Sequence, residues 1–418
     1  MPILVETKDL QPGMRLYDAF THRGRVMLPG GRRLTATDID SVLRRFSGVR
    51  LRIGHPILDS MVEFEDDTYE RDIARQAQSS VARAVTSVER QLSTHCELTP
   101  RDFETLSVSS RQVMRFLAEN PVSAAIICKT IGEDRASYLA EHTAAVLFLA
   151  MSLGQAVKSY VATERQRQTN ARDLDPAVAF DLTPLGLGAM FMDIGMFALS
   201  DLCRERRDQL TDDERRRLIQ HPHAGAEMLP DSFPPAARLI VRTHHENYDG
   251  SGYPARIPGD RQHIFTRIVR ICDSFHAATA SHLHREPKSP ARVIWEMTAG
   301  PTKRFYDPVL AKVFASLIQP FPIGAVLKLE DGREGVVVRF NRRNPFRPVI
   351  VIITDDRAVP LPAHKVRRPT RLDALPDLRL ASFGDEDLSY LNELPDLATP
   401  FEPLGRERFD TLTAALYP

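Results

Sequence analysis

The sequence predicts a mainly α protein with a small α+β module ahead of its helical part and a β-rich appendage behind it. Three observations carry this reading. From about Thr99 to Gln319 apolar residues recur at helical spacing. Ahead of that region, Gln11-Pro12-Gly13-Met14 and Gly30-Gly31 punctuate the chain as turns on either side of an alternating stretch, Gly24 to Leu28. Behind it, short strand-like runs fall at Val326 to Leu329, Gly335 to Phe340 and Val349 to Ile353. A chain of 418 residues is too long for one compact core. It divides on these signals into a module over 1–55, a linker over 56–98, a helical domain over 99–320, the appendage over 321–372 and an acidic tail over 373–418.

In the first module a helix is expected near Thr37, with Asp40 at capping-box spacing. The linker has Ile73, Ala77, Val81, Ala84, Val85, Val88 and Leu92 spaced by threes and fours, an amphipathic helix with a narrow apolar stripe. A homodimer seam and packing against its own domain demand the same pattern, and both stay open. In the helical domain, Thr211-Asp212-Asp213-Glu214 is a capping box that starts a helix delivering His221 at its end. The tail from Asp373 has ten acidic residues against three basic ones and several prolines, which predicts a loosely docked or disordered segment.

Charge is balanced at 55 basic and 55 acidic residues, so no global field gathers a nucleic-acid polymer or a membrane surface. Cys96, Cys128, Cys203 and Cys272 are scattered with no Cys-x-x-Cys spacing, as in a protein of the reducing cytoplasm. The first residues lack the basic-then-apolar pattern of a signal peptide, and no run of about eighteen apolar residues occurs.

The chemistry concentrates in Thr243 to Pro254. His244 and His245 are metal-capable imidazoles beside Glu246, and Gly250 and Gly252 permit a tight loop that folds back over them. A histidine pair alone is more often a surface or core feature than a ligand pair. The full string, however, matches HHExxDGxGYP at all eight specified positions. Here the chain resembles the HD-GYP family, bacterial metal-dependent phosphohydrolases of the HD superfamily that open and cleave cyclic di-GMP. Asp9-Leu10-Gln11-Pro12-Gly13-Met14 and the Gly24 to Thr35 stretch likewise resemble the module often found ahead of such domains.

The resemblance implies a ligand set residue by residue. His142, followed by Thr143, is the first histidine; His221, in His221-Pro222-His223-Ala224-Gly225, the next; His244 and His245 follow, with Asp273 as the last carboxylate. Asp193 is the bridging, catalytic carboxylate. Asp249, Gly250, Gly252, Tyr253, Pro254 and Arg285 are implied on the substrate side, and Phe305-Tyr306-Asp307-Pro308 matches the closing segment.

The departures from the family pattern fall together. Where the family has HDIGK, the chain reads Met192-Asp193-Ile194-Gly195-Met196, and His282 stands at a phosphate-binding arginine position. Thioether sulfur is a soft ligand poorly suited to Fe(II) or Mn(II), so Met192 does not replace imidazole. One metal set, Asp193, His221, His244 and His245, is complete; the other is reduced to His142, Asp193 and Asp273. Tyr138 stands where relatives with a third metal carry Glu, and residues 160–181, rich in Arg and Gln, look inserted. The expected cofactor is a divalent transition metal, iron or manganese, one or two per chain. Two functions follow: a cyclic di-GMP phosphodiesterase with a modified centre, or a degenerate relative that binds a nucleotide, or a diguanylate cyclase (GGDEF) domain through the Gly-Tyr-Pro loop.

Overall fold

The computed structural model describes residues 2–22, 25–46, 48–55, 58, 79–83, 85–86, 99–119, 138–169, 174–199, 211–280 and 287–392. The chain divides into two compact units, one combining Met1–Asp67 with Gln319–Phe401 and the other built on Thr68–Ile318. The module and the appendage, taken apart on sequence, therefore belong to one body.

In that first unit β1 (Ile3–Glu6) pairs antiparallel with β4 (Arg50–Ile53), β2 (Phe20–His22) pairs with β3 (Arg25–Leu28), and α1 is Ala36–Leu43. The capping box of α1 sits two residues earlier than expected. Thr35 is the N-cap and Asp38, not Asp40, closes the box, because Thr35 already has the extended backbone that a cap requires. Strands β5 (Val326–Leu329), β6 (Glu334–Arg339), β7 (Val349–Ile352), β8 (Thr370–Arg371), β9 (Leu380–Phe383) and β10 (Glu386–Asp387) form a sheet in the order β10-β9-β5-β6-β7-β8. The acidic stretch after Asp373 is thus ordered at least to Asn392: Leu380, Leu388 and Leu391 are buried, and their apolar area outweighs the surrounding charge. Residues 393–418 of the tail lie outside the described residues. The two parts of the unit are tied by Leu4 N donating to Gly324 O at 2.7 Å, by the Arg50 guanidinium over Phe383 at 4.1 Å, and by a Lys8–Asp385 ion pair. All join residues more than 300 positions apart, so no local pattern announces them.

The second unit is helical. Its elements are α2 (Pro100–Glu119), α3 (Tyr138–Ala156), α4 (Lys158–Thr169), α5 (Thr183–Phe191), α6 (Asp212–Leu218), α7 (His221–Met228), α8 (Pro235–Thr243), α9 (Ile264–Thr279), α10 (Pro290–Thr298) and α11 (Pro308–Leu317). Of the linker helix, only residues 79–83 and 85–86 are described, in helical conformation, and the rest of its stripe lies outside them. The core helix α3 is apolar all round, with Val146, Leu147, Phe148 and Leu149 buried, as a helix walled in by neighbours must be. The apolar stretch Pro176–Phe197 is long enough by composition to cross a membrane, yet α5 within it is buried from Leu185 to Phe191 against α3 and α8, the environment of a core helix.

The stretch 160–181 contains most of the helix α4 and, after it, a turn of helix at Pro176–Ala179. It presents Glu164 to the buried Arg267 of α9, whose other amino group donates to Asp307 at 2.7 Å. Asp307 also caps α11 by accepting from Val309 and Leu310, which gives the Phe305–Pro308 motif a structural task. Removing one member of such a buried ionic group typically costs about 3–5 kcal/mol, because an unpaired charge stays behind. Gln168 on α4 donates to Gln262 O at 2.6 Å, and Gln262 in turn donates to Asn247 O and Ile257 O, so α4 also braces the loop after His245.

Candidate metal centre

Five chain segments converge on one cluster. The helix α5 ends at Phe191, Met192 caps it, and the turn that follows carries Asp193. The capping box Thr211–Glu214 holds α6 as expected, but α6 stops at Leu218 and His221 is the first residue of the next helix, α7, rather than the end of α6. Pro222 behind it explains the break: proline suits the first turn of a helix and cannot continue the preceding one. His244 caps the end of α8 and His245 follows it, while His142 and Asp273 lie inside α3 and α9.

Asp193, His221, His244 and His245 offer ligand atoms that all lie within 4.8 Å of one another. His221 Nδ1 faces Leu218 O at 2.7 Å and His244 Nδ1 faces Val241 O at 3.0 Å. Donating Nδ1–H to a carbonyl leaves each Nε2 lone pair free, and both point at Asp193 Oδ1, at 3.3 and 3.5 Å. The two Nε2 atoms stand only 3.2 Å apart. Two lone pairs facing each other at that distance call for a cation between them and the carboxylate, so the donor set fits a divalent metal.

The electrostatics agree. Burial pushes the Asp193 carboxyl up, but His221 and His244, which donate to it whenever their Nε2 atoms carry a proton, hold it well below the usual range. Burial lowers the His221 imidazole while Asp193 raises it, with a net rise. Burial and the neighbouring His244 push His245 well below the ordinary histidine value, which keeps it neutral and able to ligate.

On the other side, His142 Nε2 lies 3.1 Å from Asp273 Oδ1 and 3.6 Å from Asp193 Oδ2. Asp273 Oδ2 is 3.4 Å from His245 Nδ1 and 3.4 Å from Arg270. Met192 is fully buried beside Asp193 and brings no imidazole. Met196 lies half-buried in the 3-10 turn Ile194–Leu199. Burial lowers the His142 imidazole, and Asp273 more than offsets it. The structure thus gathers all six expected ligands, four of them in one tight set and two beside it.

The loop after His245 is built by its own polar groups. Glu246, fully buried, accepts from Ala255 N at 2.6 Å and Ile257 N at 3.0 Å, and so closes the loop rather than facing the cluster. Asp249 accepts from Ser251 N and pairs with Arg304 at 3.2 Å. A side chain at Gly252 would meet Asn247 N at 2.2 Å, which is why the loop needs glycine there, and Gly250 has a φ of +77°. Tyr253 lays its ring 4.7 Å from that of His245, and Pro254 follows through a cis bond. His223 is exposed and pairs with Glu227, away from the cluster. Arg285 and His282 fall in 281–286, outside the described residues.

Two residues went unassigned on sequence. His276 Nδ1 lies 2.8 Å from His142 Nδ1, and Arg270 sits one turn before Asp273. Their signal was helical spacing: positions 270, 273 and 276 share one face of α9.

Residues 136–310 match the model of the HD domain. The chain is similar to the cyclic di-GMP phosphodiesterase PA4108 of Pseudomonas aeruginosa, 30% identical over 184 residues that make up 43% of this chain and 44% of that protein. It is similar to the cyclic di-GMP phosphodiesterase response regulator RpfG of Xanthomonas campestris, 35% identical over 24% of this chain and 27% of that protein. A 3'3'-cGAMP-specific phosphodiesterase 2 of Vibrio cholerae is 32% identical over 29% of this chain and 24% of its own length. The chain spans less than half the length of each of these relatives.

Proposed function

We propose that this protein, whose residues 136–310 match the HD domain, is a degenerate member of the HD-GYP family acting in cyclic di-GMP signalling in the cytoplasm, which binds a cyclic dinucleotide at one retained metal site and hydrolyses it weakly or not at all. The observation that carries the reading is the contrast around Asp193: four ligand atoms within 4.8 Å on one side, and Met192 in place of an imidazole on the other. When bound, a divalent metal such as iron or manganese supplies Lewis acidity toward a phosphodiester. The chain's own residues do the remaining work. Leu218 O and Val241 O orient His221 and His244, Asp193 holds negative charge between them, and Tyr253 lays its ring against that of His245. The Tyr253 loop is also the surface we assign to a GGDEF-domain partner.

A second reading, an active phosphodiesterase with a modified centre, is favoured by one observation: His142 remains within 3.6 Å of both Asp193 and Asp273. The experiment that decides is turnover of cyclic di-GMP by Met192→His with Met196→Lys. The degenerate reading expects a rise of at least about tenfold, or about 1.4 kcal/mol of barrier, and abolition of that gain by adding Asp193→Ala. Wild-type turnover equal to that of the double variant makes the chain an ordinary phosphodiesterase.

A further inference from the structure

The site still contains one guanidinium that neither the ligand set nor the loop accounts for. Arg270 donates from Nε at 3.0 Å and from Nη2 at 2.8 Å to the same acceptor, Asn247 Oδ1, and reaches Asp273 Oδ2 from Nη1 at only 3.4 Å. Its shortest contacts are thus to a neutral amide. Asp273, its one carboxylate partner among the described residues, is shared with His142 and His245. A largely enclosed cation whose best partner carries no charge is poorly neutralised, and it gains most from a ligand that does.

The guanidinium is also held in place and partly open. Asn247 is oriented by donating its own amide to Ser251 Oγ at 3.0 Å, and its carbonyl accepts from Gln262 at 2.8 Å. The Tyr306 ring lies under the guanidinium at 5.9 Å. The side chain keeps 18% of its surface exposed. Arginine carries five N–H donors in a rigid fork, and among the described residues the three contacts above use three of them, which leaves two for a ligand. The location follows from its neighbours: Asp273 Oδ2, 3.4 Å from Arg270 Nη1, is also 3.4 Å from His245 Nδ1, whose ring lies 4.7 Å from that of Tyr253.

We propose that Arg270 is a phosphate-binding residue of this site, pre-oriented by Asn247 to donate its free N–H pair to the non-bridging oxygens of a phosphodiester. The assignment rests on the cyclic-dinucleotide reading for the identity of the ligand, but not for its charge. It adds a phosphate-binding cation on α9 to the Arg285 that the sequence implies, where Met196 and His282 provide none at the positions the family uses.

The test is equilibrium binding of two probes, cyclic di-GMP and inorganic pyrophosphate, to the metal-loaded full chain as wild type, Arg270→Gln and Arg270→Lys, with metal content and melting temperature measured on each. Arg270→Gln is expected to weaken both probes at least about tenfold with metal content unchanged. Arg270→Lys, which keeps the charge but loses the fork, should recover part of that loss and show a steeper salt dependence. Binding of both probes as in wild type overturns the proposal. So does loss of metal together with binding, because Arg270 is then a brace for Asp273, and so does a wild type that binds neither probe. If pyrophosphate binds through Arg270 while cyclic di-GMP does not bind at all, the arginine assignment holds and the cyclic-dinucleotide reading fails.

Discussion

The two sides of Asp193 are oriented by different means. On the His221 and His244 side, each imidazole is locked by a main-chain carbonyl three residues earlier, Leu218 O and Val241 O. On the His142 side, Nδ1 meets two side chains, His276 at 2.8 Å and the Tyr138 hydroxyl at 3.3 Å. A backbone lock comes with the fold and survives drift in side chains; a side-chain lock is lost one residue at a time. The side that depends on side chains is also the one that has Met192.

The sharpest way to break the backbone-locked side is Gly195→Ala. A Cβ there would stand 2.0 Å from His221 O and 2.7 Å from Gly225 N, so α7 must move and carry His221 from Asp193. Overpacking of this kind costs about 1–3 kcal/mol. We expect a melting temperature lower by several degrees and loss of retained metal, read by calorimetry and elemental analysis. A variant that melts and binds metal as wild type would show that His221 is not placed by this contact.

A smaller effect comes from pH in chelator-treated protein. His142 and His221 are raised above the ordinary value, each by a carboxylate partner that outweighs burial. Their stabilisation is complete below about pH 6.5 and is lost as pH rises through their folded values. On the acid side, His245 is pushed well down, and His263, the N-cap of α9, is lowered to about 4 by burial and by Arg165 and Arg267. Those two withdraw stability as pH falls below about 6.5, because the unfolded chain then binds more protons. The metal-free protein should melt highest near pH 6.5 and lower on both sides; a melting temperature flat from pH 5 to 8 would contradict the ion pairs on both halves.

Much of this centre was legible because its parts are local. Thr211–Glu214 announces a capping box, and the string through Tyr253-Pro254 a loop that only glycine at 252 allows, whereas the helix start at His221-Pro222 was read instead as the end of the preceding helix. The strands at 326–329, 334–339 and 349–352 were read from short apolar runs in the same way. What stayed hidden was long-range. Nothing near Glu164 announces Arg267, nothing near Leu4 announces Gly324, and the tail's charge masked the three leucines that bury it. Arg270 was hidden for another reason: an arginine on an amphipathic helix is ordinarily a solvated residue, and only the position of Asn247 shows otherwise.

The central claim, one complete ligand set beside one broken set, is tested most directly by counting metal. Purified wild-type protein, dialysed and analysed for transition elements, should hold about one equivalent per chain, since one four-donor set is intact. Met192→His should raise that toward about two by returning an imidazole to the His142 and Asp273 side. Two equivalents of iron or manganese retained by the wild type would contradict the account, because the side with Met192 would then hold metal without the missing imidazole.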